Sequence, residues 1–454
     1  MTFTWKDLPG PTTRWWGIPA LVAMRKDYLG AIAAQQIFGD LVRQQIFNER
    51  TVDVFDPELL RQIMVDHADA LIRWERGPEV FAYALGQSVL VTEGQTWHRQ
   101  RRILMQAFTT KRVTGYTAHM VEATTLGLMS VQPGDQAMDR VFSHLAMDVI
   151  SRTLFSAPIS GDTQAAEDAV QVLSETALRE MFWPITLPDW LPLPGKAAKR
   201  DARGLIHGLI AGHMNERQRH PDSVKTDLLN MLLTVRDEDS GAALCHQEVF
   251  DQCVLSFQAG HETTATALLW WSWLMASHPQ AQDRAAAEIK ACLNGQSPGA
   301  DAMQAMAWLS ATLKEAMRLF PPVAALMTRR LTRDISLGQY RLPARTLVRV
   351  TPWLLHRDHR WWPREPEAFR PERFMAATEG WTPDPIPRGA YIPFGLGPRV
   401  CLGQHFAQLE MTVIAAQVLQ RFKLSTLATS PPTPRLAVTL RPEGGLRLKL
   451  EDLS

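Results

Sequence analysis

Phe394-Gly395-Leu396-Gly397-Pro398-Arg399-Val400-Cys401-Leu402-Gly403 places one cysteine in a glycine-rich run, directly ahead of an amphipathic stretch over Gln404–Arg421. Gly395, Gly397 and Gly403 permit tight turns and close approach of backbone to a flat partner. Pro393 and Pro398 stiffen the run. The stretch from Gln404 reads as a helix, whose N-terminal N–H groups and dipole favour a thiolate at Cys401. A thiolate held this way is a ligand for a soft or redox-active metal. Taken alone, the same cysteine is equally compatible with a small buried hydrophobe, the common fate of an unpaired cysteine.

Upstream, Ala259-Gly260-His261-Glu262-Thr263-Thr264 lies midway in a segment, about Gln247 to Ser277, that otherwise reads as one long helix. Glycine inside a helix costs up to ~1 kcal/mol against alanine. A threonine hydroxyl bonds the carbonyl four residues back, which for Thr263 is Ala259. The spacing predicts a kink or widened turn where a small molecule or water sits. A carboxylate beside a hydroxyl makes a proton relay. A tolerated glycine with a solvent-facing Glu–Thr pair is the plainer reading of the segment by itself.

Two further clusters are weaker alone. Glu315-Ala316-Met317-Arg318 puts opposite charges on one helix face, among apolar neighbours that suggest burial. Arg373, in the coil Phe369-Arg370-Pro371-Glu372-Arg373-Phe374, is a candidate further partner. Trp97-His98-Arg99-Gln100-Arg101-Arg102 opens a helix ending near Phe108, with Trp97 and Arg101 one turn apart and both able to donate to carboxylates. By themselves these read as a surface ion pair and a basic solvated face.

Composition narrows the field. The chain has 454 residues, 46% hydrophobic and 21% charged, an ordinary globular balance. A net charge of +1 offers no bulk attraction to nucleic acid or an anionic membrane. The four cysteines include no CxxC pair, so zinc and iron–sulfur sites are not indicated, and their scarcity fits a reducing compartment. The start of the chain has no signal-peptide pattern. Ala265–Ala276, the most apolar stretch, falls short of the roughly 20 residues of a membrane span. A cytoplasmic location is the expectation.

Along the chain, Thr51–Phe55 alternates like a strand, and Asp56-Pro57-Glu58 opens a helix with proline at its first position. Helical spacing recurs in Ala169–Arg179, Ala202–Arg219, Asp227–Val235 and Gln280–Leu293. Pro321-Pro322 ends a helix, and β-like runs follow at Arg330–Leu337, Tyr340–Leu342 and Thr346–Val350. Trp361–Pro398 is an aperiodic coil rich in Pro, Arg and aromatics; such a coil inside a compact chain is functional or tightly pinned. No repeat or linker stands out. The expectation is a single domain over 1–454, β-rich over about 1–70 and helical over about 71–454, mainly α with small β-sheets.

The order and spacing of these motifs together resemble the cytochrome P450 superfamily of haem-thiolate monooxygenases. The chain carries W-x-x-x-R at Trp97–Arg101, A-G-x-E-T-T at Ala259–Thr264, E-x-x-R at Glu315–Arg318, P-E-R-F at Pro371–Phe374 and F-x-x-G-x-R-x-C-x-G at Phe394–Gly403. The resemblance implies the P450 fold, with haem between a long central helix and the cysteine-loop helix. It implies Cys401 as the haem-iron ligand with Phe394, Gly395 and Gly403 beside it. Trp97, Arg101, Arg329 and Arg399 would hold the haem propionates, with Arg330 able to take the place of Arg329. Glu315, Arg318 and Arg373 would form a structural triad. Ala259 and Gly260 would border bound oxygen, and Glu262 and Thr263 would deliver protons to it.

The activity implied is insertion of one oxygen atom from O2 into a hydrophobic small molecule. The cofactor would be haem b. Electrons would come ultimately from NAD(P)H, through a separate ferredoxin or flavodoxin and its reductase, with no fused reductase. Arg99, Arg102, Lys111 and Arg112 are the candidate docking surface for an acidic partner. A substrate pocket would be lined by Trp74–Ser88, Met181–Leu193, Phe257, Ala259 and Val323–Thr328; Arg73 and Arg76 could hold a carboxylate, though a solvated surface role is the plainer reading. A peroxide-driven peroxygenase or a haem-thiolate isomerase is the alternative, and Glu262–Thr263 argues against both. A non-enzymatic helical binding protein would require the cysteine loop to be accidental.

Overall fold

The computed structural model describes residues 3–453 apart from 160–162, 184–185, 192, 221–224, 326, 378–381 and 429. The fold is mainly helical with small sheets. Pro184, Ile185, Pro192 and Leu326, all within the expected substrate lining, lie outside the described residues. The chain forms two compact units: Met1–Pro78 with Met317–Cys401, and Glu79–Ala316 with Leu402–Ser454.

In the first unit a five-stranded sheet runs in the order Leu41–Ile46, Glu49–Val54, Leu347–Val350, Arg329–Leu331, Leu71–Arg73. The first two strands form a hairpin whose turn puts Phe47 at φ 51. Glu49–Val54 then pairs in parallel with Leu347–Val350, setting Val52 against Val348 and Val54 against Val350. These valines belong to one buried cluster with Leu60, Ile63 and Leu355. Asp53 and Arg349 are also register partners, joined at 2.6 Å, and Gln44 Oε1 accepts a further bond from the guanidinium at 2.6 Å. Buried charges of opposite sign persist there because each finds partners. That pairing is why residues near 50 and near 350 share one unit.

The second unit is built on the helix His246–Ser277, packed against Met138–Phe155 and Gln404–Arg421. Cys245 and Glu248 form a capping box at its start. Trp270 and Trp271 are fully buried, and their indole N–H groups donate to Leu440 O at 2.6 Å and Thr312 Oγ1 at 3.0 Å. The apolar Ala265–Ala276 stretch is thus core. No helix among the described residues is long and apolar enough to cross a membrane. The other helices expected from periodicity are present as Thr163–Met181, Lys196–Arg219, Leu228–Thr234 and Pro279–Leu293.

Candidate active site

In the first unit, the cysteine loop closes on itself. Cys401 N donates to Phe394 O at 2.9 Å, Gly395 N to Ile392 O at 3.0 Å and Val400 N to Gly397 O at 3.0 Å. Gly395 and Gly397 have φ of 86° and 78°, the left-handed region that favours glycine. A Cβ on Gly397 would lie 2.1 Å from Met64 O, so the loop also needs glycine to pack against Gln62–Asp66. Cys401 itself is exposed. Cys253 shows what an inert cysteine looks like here: it is fully buried, and burial pushes its thiol up to about 12.

The coil ahead of the loop is bolted down by buried cations that donate to backbone carbonyls. Arg318 Nη1 donates to His356 O and Pro366 O, each at 2.7 Å, and Nη2 to Ala368 O at 3.1 Å. Arg373 Nη2 donates to Arg364 O and, at 2.7 Å, to Glu365 O. His356 reaches the loop's entry: its Nε2 accepts from Ile392 N at 2.9 Å, which leaves Nδ1 to donate to Arg318 O at 3.2 Å. Burial, with Arg318 and Arg357 nearby, lowers the His356 pKa to about 3, so the ring is neutral and can accept. Glu315 and Arg318 are both fully buried, so the surface-pair reading of that motif does not hold.

In the second unit, the expected Thr263 Oγ1 bond to Ala259 O is present at 2.7 Å. The expected kink or widened turn does not interrupt the helix, which is continuous over His246–Ser277. The hydroxyl bond is added beside a helical ladder that runs on through it. In the middle of this largely buried helix Ala259 is exposed and Gly260 and Thr263 are half-buried. A Cβ on Gly260 would meet Ile150 Cδ1 at 3.1 Å, so close helix packing alone calls for a small residue there. His261 is buried, with Nδ1 against Phe257 O at 2.9 Å. Glu262 is buried and bound to Ser174, Thr439 and Arg441, three partners no sequence motif had signalled. Thr264 Oγ1 donates to Glu410 Oε2 at 3.0 Å, and burial raises that carboxyl well above its ordinary value. Gly403 is the N-cap of the helix Gln404–Arg421.

Arg101 lies over the ring of buried Trp97, 5.9 Å from its centroid, so that pair forms one unit on Gly94–Ala107. In the first unit Arg330 is committed to Glu75 at 2.7 Å and Glu49 at 2.9 Å, and Arg329 Nη1 donates to Thr328 O at 3.0 Å. Two expectations need correction. Arg99 and Arg102 do not form an open docking surface, because Glu248 holds Arg99 and Asp237, at 2.7 Å, holds Arg102. Those carboxylates come from a segment far along the chain, which charge counting near residue 100 cannot reveal. Arg76 is buried rather than solvated. Of the expected substrate lining, Phe257 is fully buried and Trp183 is exposed. The ring of Tyr83 sits under Lys199 Nζ, 4.4 Å from its centroid.

The donor chemistry decides what the site can hold. Among the described residues no three His, Cys, Asp or Glu side chains gather to hold a bare metal ion. A single exposed thiol on a pinned loop suits a metal whose remaining ligands arrive with an organic group. The cytochrome P450 family model matches residues 8–450. This chain belongs to the cytochrome P450 family. It is 30% identical to cyclooctatin synthase of Streptomyces melanosporofaciens, over 97% of each chain. It is also 30% identical to cyclooctat-9-en-7-ol 5-monooxygenase of the same organism, over 89% of this chain and 86% of that one. A cytokinin hydroxylase of Arabidopsis thaliana is 28% identical over 88% of this chain and 78% of its own length. As a P450, this chain is a monooxygenase dependent on haem iron and O2, and the residues described above fit that group.

Proposed function

We propose that this P450 oxygenates a bulky, hydrocarbon-rich small molecule carrying few polar groups, of the cyclic-alcohol kind named for one of its Streptomyces relatives. The observation that carries the reading is the exposed Cys401 thiol on a loop whose backbone is closed at Phe394 and anchored through His356. Bound thiolate-ligated haem supplies dioxygen activation and O–O cleavage. The chain's own residues do the rest. Cys401 ligates the iron; Phe394, Gly395 and Gly403 shape its surroundings. Trp97, Arg101, Arg329 and Arg399 donate to the haem carboxylates. Ala259 and Gly260 would border bound oxygen. Thr263 and Glu262 hold and pass protons.

Electrons come, in this reading, from NAD(P)H through a separate ferredoxin or flavodoxin and its reductase. With Arg99 and Arg102 engaged, exposed Lys111 and Arg112 carry the docking of an acidic partner. Reversing both charges should slow reduction most at low salt. The decisive test is the spectrum of the reduced, carbon-monoxide-bound protein. A far-red-shifted Soret band that disappears in Cys401→Ala supports the assignment, and a band retained in that variant sinks it. Titrating cyclic terpenoid alcohols, fatty acids and steroids for loss of iron-bound water then tests the substrate class. A response to fatty acids alone would overturn it.

A further inference from the structure

Glu262 sits in a closed cradle. Its Oε2 accepts from Ser174 Oγ at 2.6 Å and its Oε1 from Thr439 Oγ1 at 2.8 Å. Arg441 Nη2 lies 3.3 Å from the same Oε1, and Arg441 Nε donates to Thr439 Oγ1 at 3.2 Å. The Thr439 hydroxyl therefore bridges the two charges. Glu262 is 7% exposed in its side chain and Arg441 30%, so Arg441 is the member that reaches solvent. The neighbouring Thr263 hydroxyl is bound to Ala259 O instead. Each half of the acid–alcohol pair is thus held by other groups.

We propose that Ser174, Thr439 and Arg441 are positioning residues for proton delivery, parking Glu262 and controlling its reloading from solvent. The proposal rests on the reading of Glu262 and Thr263 given above. Two hydroxyls donate to the oxygens of the parked Glu262 carboxylate, and the Arg441 guanidinium pairs with one of those oxygens. A hydroxyl can pass its own proton along its hydrogen bond while taking one from a water-borne acid. Glu262 then becomes neutral, the solvent acid becomes its conjugate base, and the hydroxyl is regenerated. A neutral carboxyl no longer attracts Arg441 and is free to turn and donate. The guanidinium has other charged neighbours to turn toward or away from: it acts on Glu167, alongside Asp168, Arg140 and Asp139, and on His261. The ion pair at 3.3 Å is the longest of the cradle contacts to Glu262 and the one nearest water.

The test is a double-mutant cycle between Arg441→Met and Glu262→Gln, read twice on the holoenzyme. The first readout is melting temperature, which needs no turnover. If the cradle exists, the two shifts are non-additive. The second readout is turnover. Arg441→Met should lower kcat, and the fraction of consumed electrons that reach product, by about tenfold, with substrate affinity unchanged. The solvent deuterium isotope effect should rise, Arg441→Lys should restore most of the loss, and Arg441→Met should add nothing in the Glu262→Gln background. Additive melting shifts would show that the cradle is not there. Coupled melting with additive turnover would reduce Arg441 to a structural prop and overturn the proposal. If Glu262→Gln alone leaves turnover intact, the failure lies in the reading of Glu262 as the acid, and the cradle has nothing to control.

Discussion

The cysteine loop and the central helix solve the problem of holding a reactive group in opposite ways. The helix satisfies its own backbone, so its side chains are left to tune chemistry: Thr263 bonds Ala259, Glu262 bonds Ser174 and Thr439. The coil leading to Cys401 satisfies only part of its own backbone. Its carbonyls at Pro366 and Ala368 are met by Arg318, and the loop's entry at Ile392 is met by His356. A helix can therefore lose a functional side chain cheaply, whereas the loop depends on distant residues that never touch a substrate.

Arg318→Met should show this most strongly. It strips the donor from one buried carbonyl, His356 O, worth about 1–3 kcal/mol when left unsatisfied, and from two partly buried ones at Pro366 and Ala368. The expected outcome is a large drop in melting temperature and loss of haem during gel filtration. A variant that keeps its haem would put the coil's stability elsewhere.

A pair of glycine substitutions sharpens the contrast. Gly397→Ala must accommodate a Cβ 2.1 Å from Met64 O at a φ of 78°, and should cost about 2 kcal/mol or more. Gly260→Ala meets a side chain rather than backbone, Ile150 Cδ1 at 3.1 Å and Cγ1 at 3.2 Å, and gains up to ~1 kcal/mol in helix propensity, so the net change should stay within about 1 kcal/mol. Thermal denaturation of the two proteins side by side checks the difference, and equal losses would break the comparison.

Acid should act on the loop through His356. Its folded pKa is depressed to about 3, so below its ordinary value of 6.5 the unfolded chain binds the extra proton. Stability is full above that value and falls as pH drops toward 3, by up to ~1.4 kcal/mol per pH unit. Urea midpoints should follow that slope, and His356→Gln, which cannot take the proton, should flatten it. The second unit carries a small opposing effect. Glu167 is raised to about 7, mainly by burial, so its contribution is fullest below 4.5 and is lost as pH rises through 7. Being partly exposed, it should contribute under about 1 kcal/mol. Smallest of all is Thr263→Ala in stability: the helix keeps its ladder and should change by less than about 1 kcal/mol. Turnover should still fall if the hydroxyl manages protons, and product formation per electron consumed is the measurement.

Local sequence carried a great deal. The helix expected over about Gln247 to Ser277 is His246–Ser277, and Gln404–Arg421 stands as read, because apolar spacing and end signals act within a few residues. The Thr263–Ala259 bond followed from a four-residue offset. The motif series identified the family, since each motif is contiguous in the chain. Tertiary structure decided what depends on distant partners. It committed Arg330 to Glu49 and Glu75, drew Arg99 and Arg102 onto Glu248 and Asp237, and kept the central helix unbroken. It also brought Ser174 and Thr439, 88 and 177 positions away, onto Glu262. A charge or hydroxyl in a sequence announces what it can bind. Which partner it binds is settled only when folding brings distant segments to within about 3 Å, the range over which a hydrogen bond acts.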